Sequence, residues 1–218
     1  MYKSLVLSRY TLLVLFAGVP ILAGAARLMQ MAGLPVVMPD ADRVLSQMQP
    51  LLAVHILAGI IFTITGAYQF ATQARHRAPG FHRWSGRLSV ASALLTGTSA
   101  IWLSLAFPHA ASDGPLLDVV RVVAGFAMTG TAGAGLWAIL KRNVAGHRNW
   151  MVRAYAICLG TALQSFVLAV WTVIDTVPVG ANRAFAFAAS WIACLAVAEC
   201  WRRRGQLLKS QLKRKTQS

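Results

Sequence analysis

Six apolar runs of about twenty residues set the terms for this chain. They cover residues 10–31, 49–72, 86–107, 116–140, 151–174 and 182–201. A helix of about 20 residues rises about 30 Å, the thickness of a bilayer's hydrocarbon core. Within that core every backbone N–H and C=O must find a partner inside the protein, which a helix or a closed barrel provides. The chain of 218 residues is 57% hydrophobic and 12% charged, against about 25% charged in a soluble domain. The expected fold is therefore all-α, a polytopic transmembrane helical bundle of about six spans. It forms a single domain over residues 1–201, followed by a basic tail at 202–218.

Charge gives the bundle a direction. The net charge is +15, which in a soluble protein would point to nucleic acid. In a membrane chain, basic residues hold loops against anionic lipid on the cytoplasmic side. With the N-terminus inside, all but Arg27, Arg43, Arg121 and Arg183 of the 21 basic residues fall on that side. The acids Asp40, Asp42, Asp113, Asp118 and Asp175 fall on the other. Both termini are therefore expected in the cytoplasm, with the lipid bilayer as partner and no nucleic acid. Trp84, Trp137, Trp150 and Trp201 fall at the cytoplasmic interface, and Trp102 and Trp171 near the opposite one. Lys3 and Arg9 ahead of an apolar run ending in Ala23-Gly24-Ala25 also fit a cleaved signal peptide. The run from Tyr10 to Ala26 exceeds a typical signal core, so an uncleaved helix is the expectation. The segment 32–48, with Pro35, Pro39, Asp40 and Asp42, reads as a short ordered loop. The tail, with Leu207, Leu208 and Leu212, fits either a surface amphipathic helix or a solvated extension.

Two basic segments repeat one pattern. Residues 75–87 contain His82-Arg83-Trp84 and then Arg87. Residues 141–153 contain His147-Arg148-Asn149-Trp150 and then Arg153. Both read as loops between spans. The preceding spans superpose at a shift of 66 residues, with Ala58-Gly59 over Ala124-Gly125, Thr63 over Thr129 and His55 over Arg121. The pattern suggests a parallel repeat of the span 2–3 and span 4–5 hairpins, which implies a pseudo-two-fold axis along the membrane normal. Such a repeat would set the two basic segments facing each other, and His55 and Arg121 at similar depth.

The histidines and arginines are the candidates for chemistry. His55 lies inside a span, where an ionisable group is costly and faces a cavity or a partner. His82 and His147 could hold a b-type haem axially. Arg83, Arg87, Arg148 and Arg153 could pair with its propionates, or grip an anionic lipid headgroup. Orientation alone needs the charge but not the histidines. His76 and His109 carry less, because both fall in connecting segments. Arg121 stands one turn after Asp118, and Glu199 one turn before Arg202 and Arg203, spacings that favour ion pairs. Gln69 and Gln164 read as interhelical hydrogen-bond donors, and Gly125, Gly130, Gly133 and Gly135 as close helix contacts. Cys158, Cys194 and Cys200 lack metal or redox spacing and read as packing. No Walker loop, GxSxG, HExxH or GxGxxG motif supports soluble-type catalysis.

The pattern of His55 with Ala58-Gly59, Gln69-Phe70, Arg75 through Arg87, and His147 through Ala156 resembles DUF2306, a family of uncharacterised bacterial membrane proteins. The resemblance covers roughly residues 50–170. It implies a multi-span protein of the bacterial cytoplasmic (inner) membrane and names no activity. One position where the family pattern often carries Arg holds Gln164 here. A looser likeness to four-helix b-type cytochromes is analogy only. Three functional readings follow. The first is a b-type haem or electron-transfer protein using His55, His82 and His147. The second is a transporter, or a binder of an anionic lipid or quinone-type small molecule, using the arginines. The third is a structural or assembly subunit.

Overall fold

A computed structural model describes residues 2–35, 49–70, 76–107, 112–174 and 178–215, with side chains described from Phe16 to Gly205 within those segments. All regular structure among them is α-helical. The helices are α1 (Tyr2–Met31), α2 (Gln49–Phe70), α3 (Pro79–Ala106), α4 (Pro115–Leu140), α5 (Val144–Ile174) and α6 (Gly180–Lys215). Helices α2 to α6 are each long and apolar enough to cross a membrane, while the described apolar part of α1 is the shorter Phe16–Met31. The loop expected over 32–48 is described only to Pro35. Arg75, His109, Asp175 and the side chains of Lys3, Arg9, Leu207, Leu208 and Leu212 lie outside the described residues.

Helices α2, α3, α4 and α5 form a four-membered ring, each packing on the next. The ring closes loosely between α5 and α2, where α1 packs against both. Helix α6 lies in the groove between α4 and α5. Helices α3 and α5 are therefore diagonal across the ring. A true two-fold would make the α2–α5 contact as extensive as the α3–α4 contact, and it is far smaller.

The polarity is that of a protein dissolved in lipid. Val119, Val123 and Phe126 of α4 point outward, whereas Ser85, Ser89, Ser92, Ser99, Thr63, Gln164 and Ser190 are buried. The central core joins Phe62 and Ala67 of α2, Ala93 of α3, Met128 and Ala132 of α4, and Ala154, Tyr155 and Ile157 of α5. The Tyr155 ring meets Phe62 edge-on at 5.8 Å and Phe70 at 5.0 Å. Small residues bring the backbones together. A Cβ at Gly97 would stand 2.9 Å from the Thr129 backbone nitrogen, and one at Gly125 3.0 Å from the Gly97 carbonyl oxygen. Gly135 meets Met151, but Gly130 and Gly133 meet nothing within 4 Å, so only half of the glycines expected at contacts are there. The three cysteines are free; Cys158 and Cys194 are partly buried and Cys200 is exposed.

The helix starts correct the sequence expectation. The two segments read as basic loops are mostly helix. Helix α3 begins at Pro79 rather than near residue 86, and α5 at Val144 rather than near 151. Proline suits a first helical position, since its fixed φ is helical and its absent N–H would have no partner there. At α5 the Asn143 side chain accepts the Gly146 N–H at 2.8 Å, capping the helix. The turn before it is tight. Asn143 N–H reaches Ala138 O and Arg142 N–H reaches Ile139 O, with Arg142 at φ 58°, the pairing of a Schellman helix end. The tail is likewise helical, continuing α6 to Lys215.

Candidate functional site

The α2–α3 and α4–α5 connections lie at one end of the bundle, here termed the basic end. His82 and His147 are each the fourth residue of their helices. Each donates its backbone N–H to the residue just before its helix, His82 to Ala78 O and His147 to Asn143 O, both at 2.9 Å. Each also meets the preceding helix. Gln69 Nε2 donates to His82 O at 3.3 Å and to Ser85 Oγ at 2.8 Å. His147 Nδ1 lies 2.9 Å from Gly135 O, and Gly135 stands 66 positions after Gln69, the shift seen in the sequence. A carbonyl oxygen only accepts, so Nδ1 carries the proton in this bond.

The arginines divide into two groups. Glu199 gathers one set. Arg153 Nη2 lies 3.1 Å from Oε2, Arg203 Nε 3.3 Å from Oε1, and Arg202 grips both carboxylate oxygens, with Nε at 3.0 Å. The Arg153 guanidinium also lies 4.8 Å from the Trp150 ring centroid. The expected Arg202 and Arg203 pairs are present, and Arg153 joins them instead of remaining with the other arginines of its motif. Arg83, Arg87 and Arg148 form the second set. All three are exposed, and among the described residues none has an acidic partner. Their helices are 28 and 31 residues long, about 42 and 46 Å, longer than a hydrocarbon core of about 30 Å.

His55 belongs to the opposite end. It is the seventh residue of α2, as Arg121 is of α4, but the contacts through α3 set it level with a residue beyond Arg121, because His55 meets Ser99 and Gly125 of α4 meets Ile101. It stands 15 residues from Phe70, about 22 Å along the axis. It cannot share one centre with His82 and His147. Its Nδ1 lies 2.9 Å from Ser99 Oγ. Ser99 directs its own proton to Leu95 O at 2.5 Å, which leaves the imidazole Nδ1–H as the donor. At the same end Asp113, 7% exposed in its side chain, is held by Arg121 at 2.7 Å and Arg183 at 3.1 Å. Arg121 reaches the expected Asp118 only at 3.6 Å. The sequence reading placed Asp113 on this side but missed its role, because its partners come from two other helices.

Both in-span amides join helices as expected. Gln69 links α2 to α3, and Gln164 Nε2 donates to Phe187 O of α6 at 3.3 Å. Among the described residues no group of three or more His, Cys, Asp or Glu is arranged to hold a metal ion. The hydroxyl groups of α3 also went unread, although Ser85, Ser89, Ser92, Thr96 and Ser99 repeat at helical spacing in the sequence.

The family model described as a predicted membrane protein (DUF2306) matches residues 52–202. That span reaches beyond the two hairpins into α6. No curated protein and no solved structure matches the chain.

Proposed function

The chain belongs to the DUF2306 family of predicted membrane proteins, and from that premise we propose that its basic end binds an anionic ligand in the headgroup layer. The observation that carries the reading is the division of the arginines. Arg83, Arg87 and Arg148 stand exposed with no acid partner among the described residues, while the described acid of this end, Glu199, is taken by Arg153, Arg202 and Arg203. Two helix N-termini, whose dipoles favour negative charge, lie beside these arginines. Phosphate or carboxylate is the matching chemistry. On the positive-inside rule this end faces the cytoplasm and both termini lie there, which fits the bacterial inner membrane.

The ligand is either a lipid headgroup or a free anion. Titrating the detergent-purified protein with short-chain phosphatidylglycerol, phosphatidylcholine and inorganic phosphate separates the two. Phosphatidylglycerol above both others indicates a lipid, and equal phosphate binding a soluble anion. Arg83→Ala with Arg148→Ala should weaken binding roughly tenfold or more, the worth of one or two charge-assisted hydrogen bonds. No binding of either anion would remove the proposal.

A second reading is a b-type haem held by His82 and His147 on the diagonal helices α3 and α5. It draws on the Nδ1–H bond from His147 to Gly135 O, since ligating imidazoles commonly donate their other N–H to a carbonyl. Bound there, haem would supply electron-transfer chemistry, and Arg83 and Arg148 would offer charge to its propionates. An absorption spectrum of protein made with haem supplied, oxidised and then dithionite-reduced, tests it. A Soret band that shifts on reduction and is lost in His147→Ala would favour this reading over the first. A featureless spectrum would dismiss it.

A further inference from the structure

The seam between α2 and α3 is polar along most of its length. On α3, Ser85, Ser89, Ser92, Thr96 and Ser99 follow at alternating spacings of four and three, which places them on one face. Three contacts fix the register with the antiparallel α2. Gln69 Nε2 donates to Ser85 Oγ at 2.8 Å, a Cβ at Gly59 would lie 4.0 Å from Thr96 Cγ2, and His55 Nδ1 is 2.9 Å from Ser99 Oγ. That register sets Ser92 level with Phe62 and Ser89 level with Gly66. The stripe runs about 21 Å, most of the hydrocarbon thickness. A histidine stands at each end, but only His55 meets the stripe through its imidazole. His55 bonds Ser99, and His82 accepts the Ser85 hydroxyl on its carbonyl oxygen at 3.3 Å.

Close packing alone would be served by alanine at these positions. A buried serine or threonine in a span ordinarily returns its proton to its own helix. Ser85, Thr96 and Ser99 do so. Ser89 does not. It is 1% exposed, and its Oγ finds no hydrogen-bond partner among the described residues. An unmet hydroxyl at this depth is costly, so the site calls for a partner beyond the described residues, and water is the smallest that both donates and accepts.

We propose that the α2–α3 seam is a hydrated proton path through the bundle, entered at His55 and left from Ser85 to water at the basic end. A proton taken up on His55 Nε2 is matched by release of the Nδ1 proton towards Ser99. Each hydroxyl in turn accepts a proton from one side and hands its own to the other. Rungs three or four residues apart stand about 4.5–6 Å apart along the axis, beyond a direct O–H···O bond, so a bridging water completes each step. Only N–H and O–H bonds form and break. The movement needs no oxidant or reductant and follows the electrochemical gradient. The path is independent of the anion site.

The test is proton flux into phosphatidylcholine–phosphatidylglycerol vesicles containing the full chain and a pH-sensitive dye, driven by a valinomycin potassium potential. The wild type should acidify the lumen faster than protein-free vesicles. Ser89→Ala should slow it roughly tenfold, the effect of raising the barrier by one net hydrogen bond. Ser104→Ala removes a hydroxyl that serves only Ala100 O outside the stripe, and should leave the flux unchanged. If Ser89→Ala does not elute as folded protein, Ser92→Ala examines the same stretch. Wild-type flux equal to protein-free vesicles, full flux in the folded seam variant, or equal slowing by Ser104→Ala would each overturn the path.

Discussion

At the scale of single residues, His147 shows how a backbone contact settles the chemistry of a side chain. Its Nδ1–H donates to Gly135 O, tying the start of α5 to α4. Asparagine can place its side-chain N–H where Nδ1 stands, and alanine cannot. His147→Asn should therefore keep the melting temperature of the purified protein, and His147→Ala should lower it through a loss of about 1 kcal/mol. Equal melting of the two would show that the bond carries no stability. His82, His147 and their arginines were readable from the sequence, because the two motifs repeat. The division of the arginines was not, since Glu199 and Arg153 meet only when α6 packs on α5. Asp113 likewise acquires its role from Arg121 of α4 and Arg183 of α6.

At the scale of helices, the apolar runs located the six described helices, five of them long and apolar enough to cross a membrane, but hydropathy misjudged where the helices start. Charged turns look like loops to a hydropathy window, yet a helix that has crossed the hydrocarbon core continues at little cost into the headgroup layer. Pro79 and the Asn143 cap were the local signals for the early starts. Glycine content was an equally blunt signal, because it does not say which side of a helix meets a neighbour. Gly97→Ala would press a methyl group against the Thr129 backbone nitrogen and the Gly125 carbonyl. Neither can swing away, so it should destabilise the protein by about 1–3 kcal/mol. Gly130→Ala meets nothing within 4 Å and should be neutral or stabilising by up to about 1 kcal/mol, from helix propensity. Thermal melting of the two variants side by side checks the α3–α4 contact. Matching losses would refute it.

At the scale of the whole molecule, the repeat is local. Each hairpin starts its second helix with a histidine set against the residue 66 positions from its counterpart. The outer halves diverge, with Gly59 against α3 and its sequence counterpart Gly125 also against α3 instead of α5. Sequence similarity therefore recovered the shared pattern at the helix starts, while the uneven closing of the ring, with α1 packed at the loose α2–α5 side, has no counterpart in the repeat. The charge asymmetry predicts that a fluorescent reporter which matures only in the cytoplasm will be bright when fused after Ser218, and that a phosphatase active only outside will be silent there. The reverse result would turn the bundle over and move the anion site to the outer face.

The measurement that bears most directly on the account is a phosphatidylglycerol titration of Arg83→Ala with Arg148→Ala, run beside Arg153→Ala. The account predicts that the double variant loses roughly tenfold or more in affinity, while Arg153→Ala, whose charge is held by Glu199, keeps close to wild-type binding. Equal losses in both proteins, or none in the double variant, would contradict it.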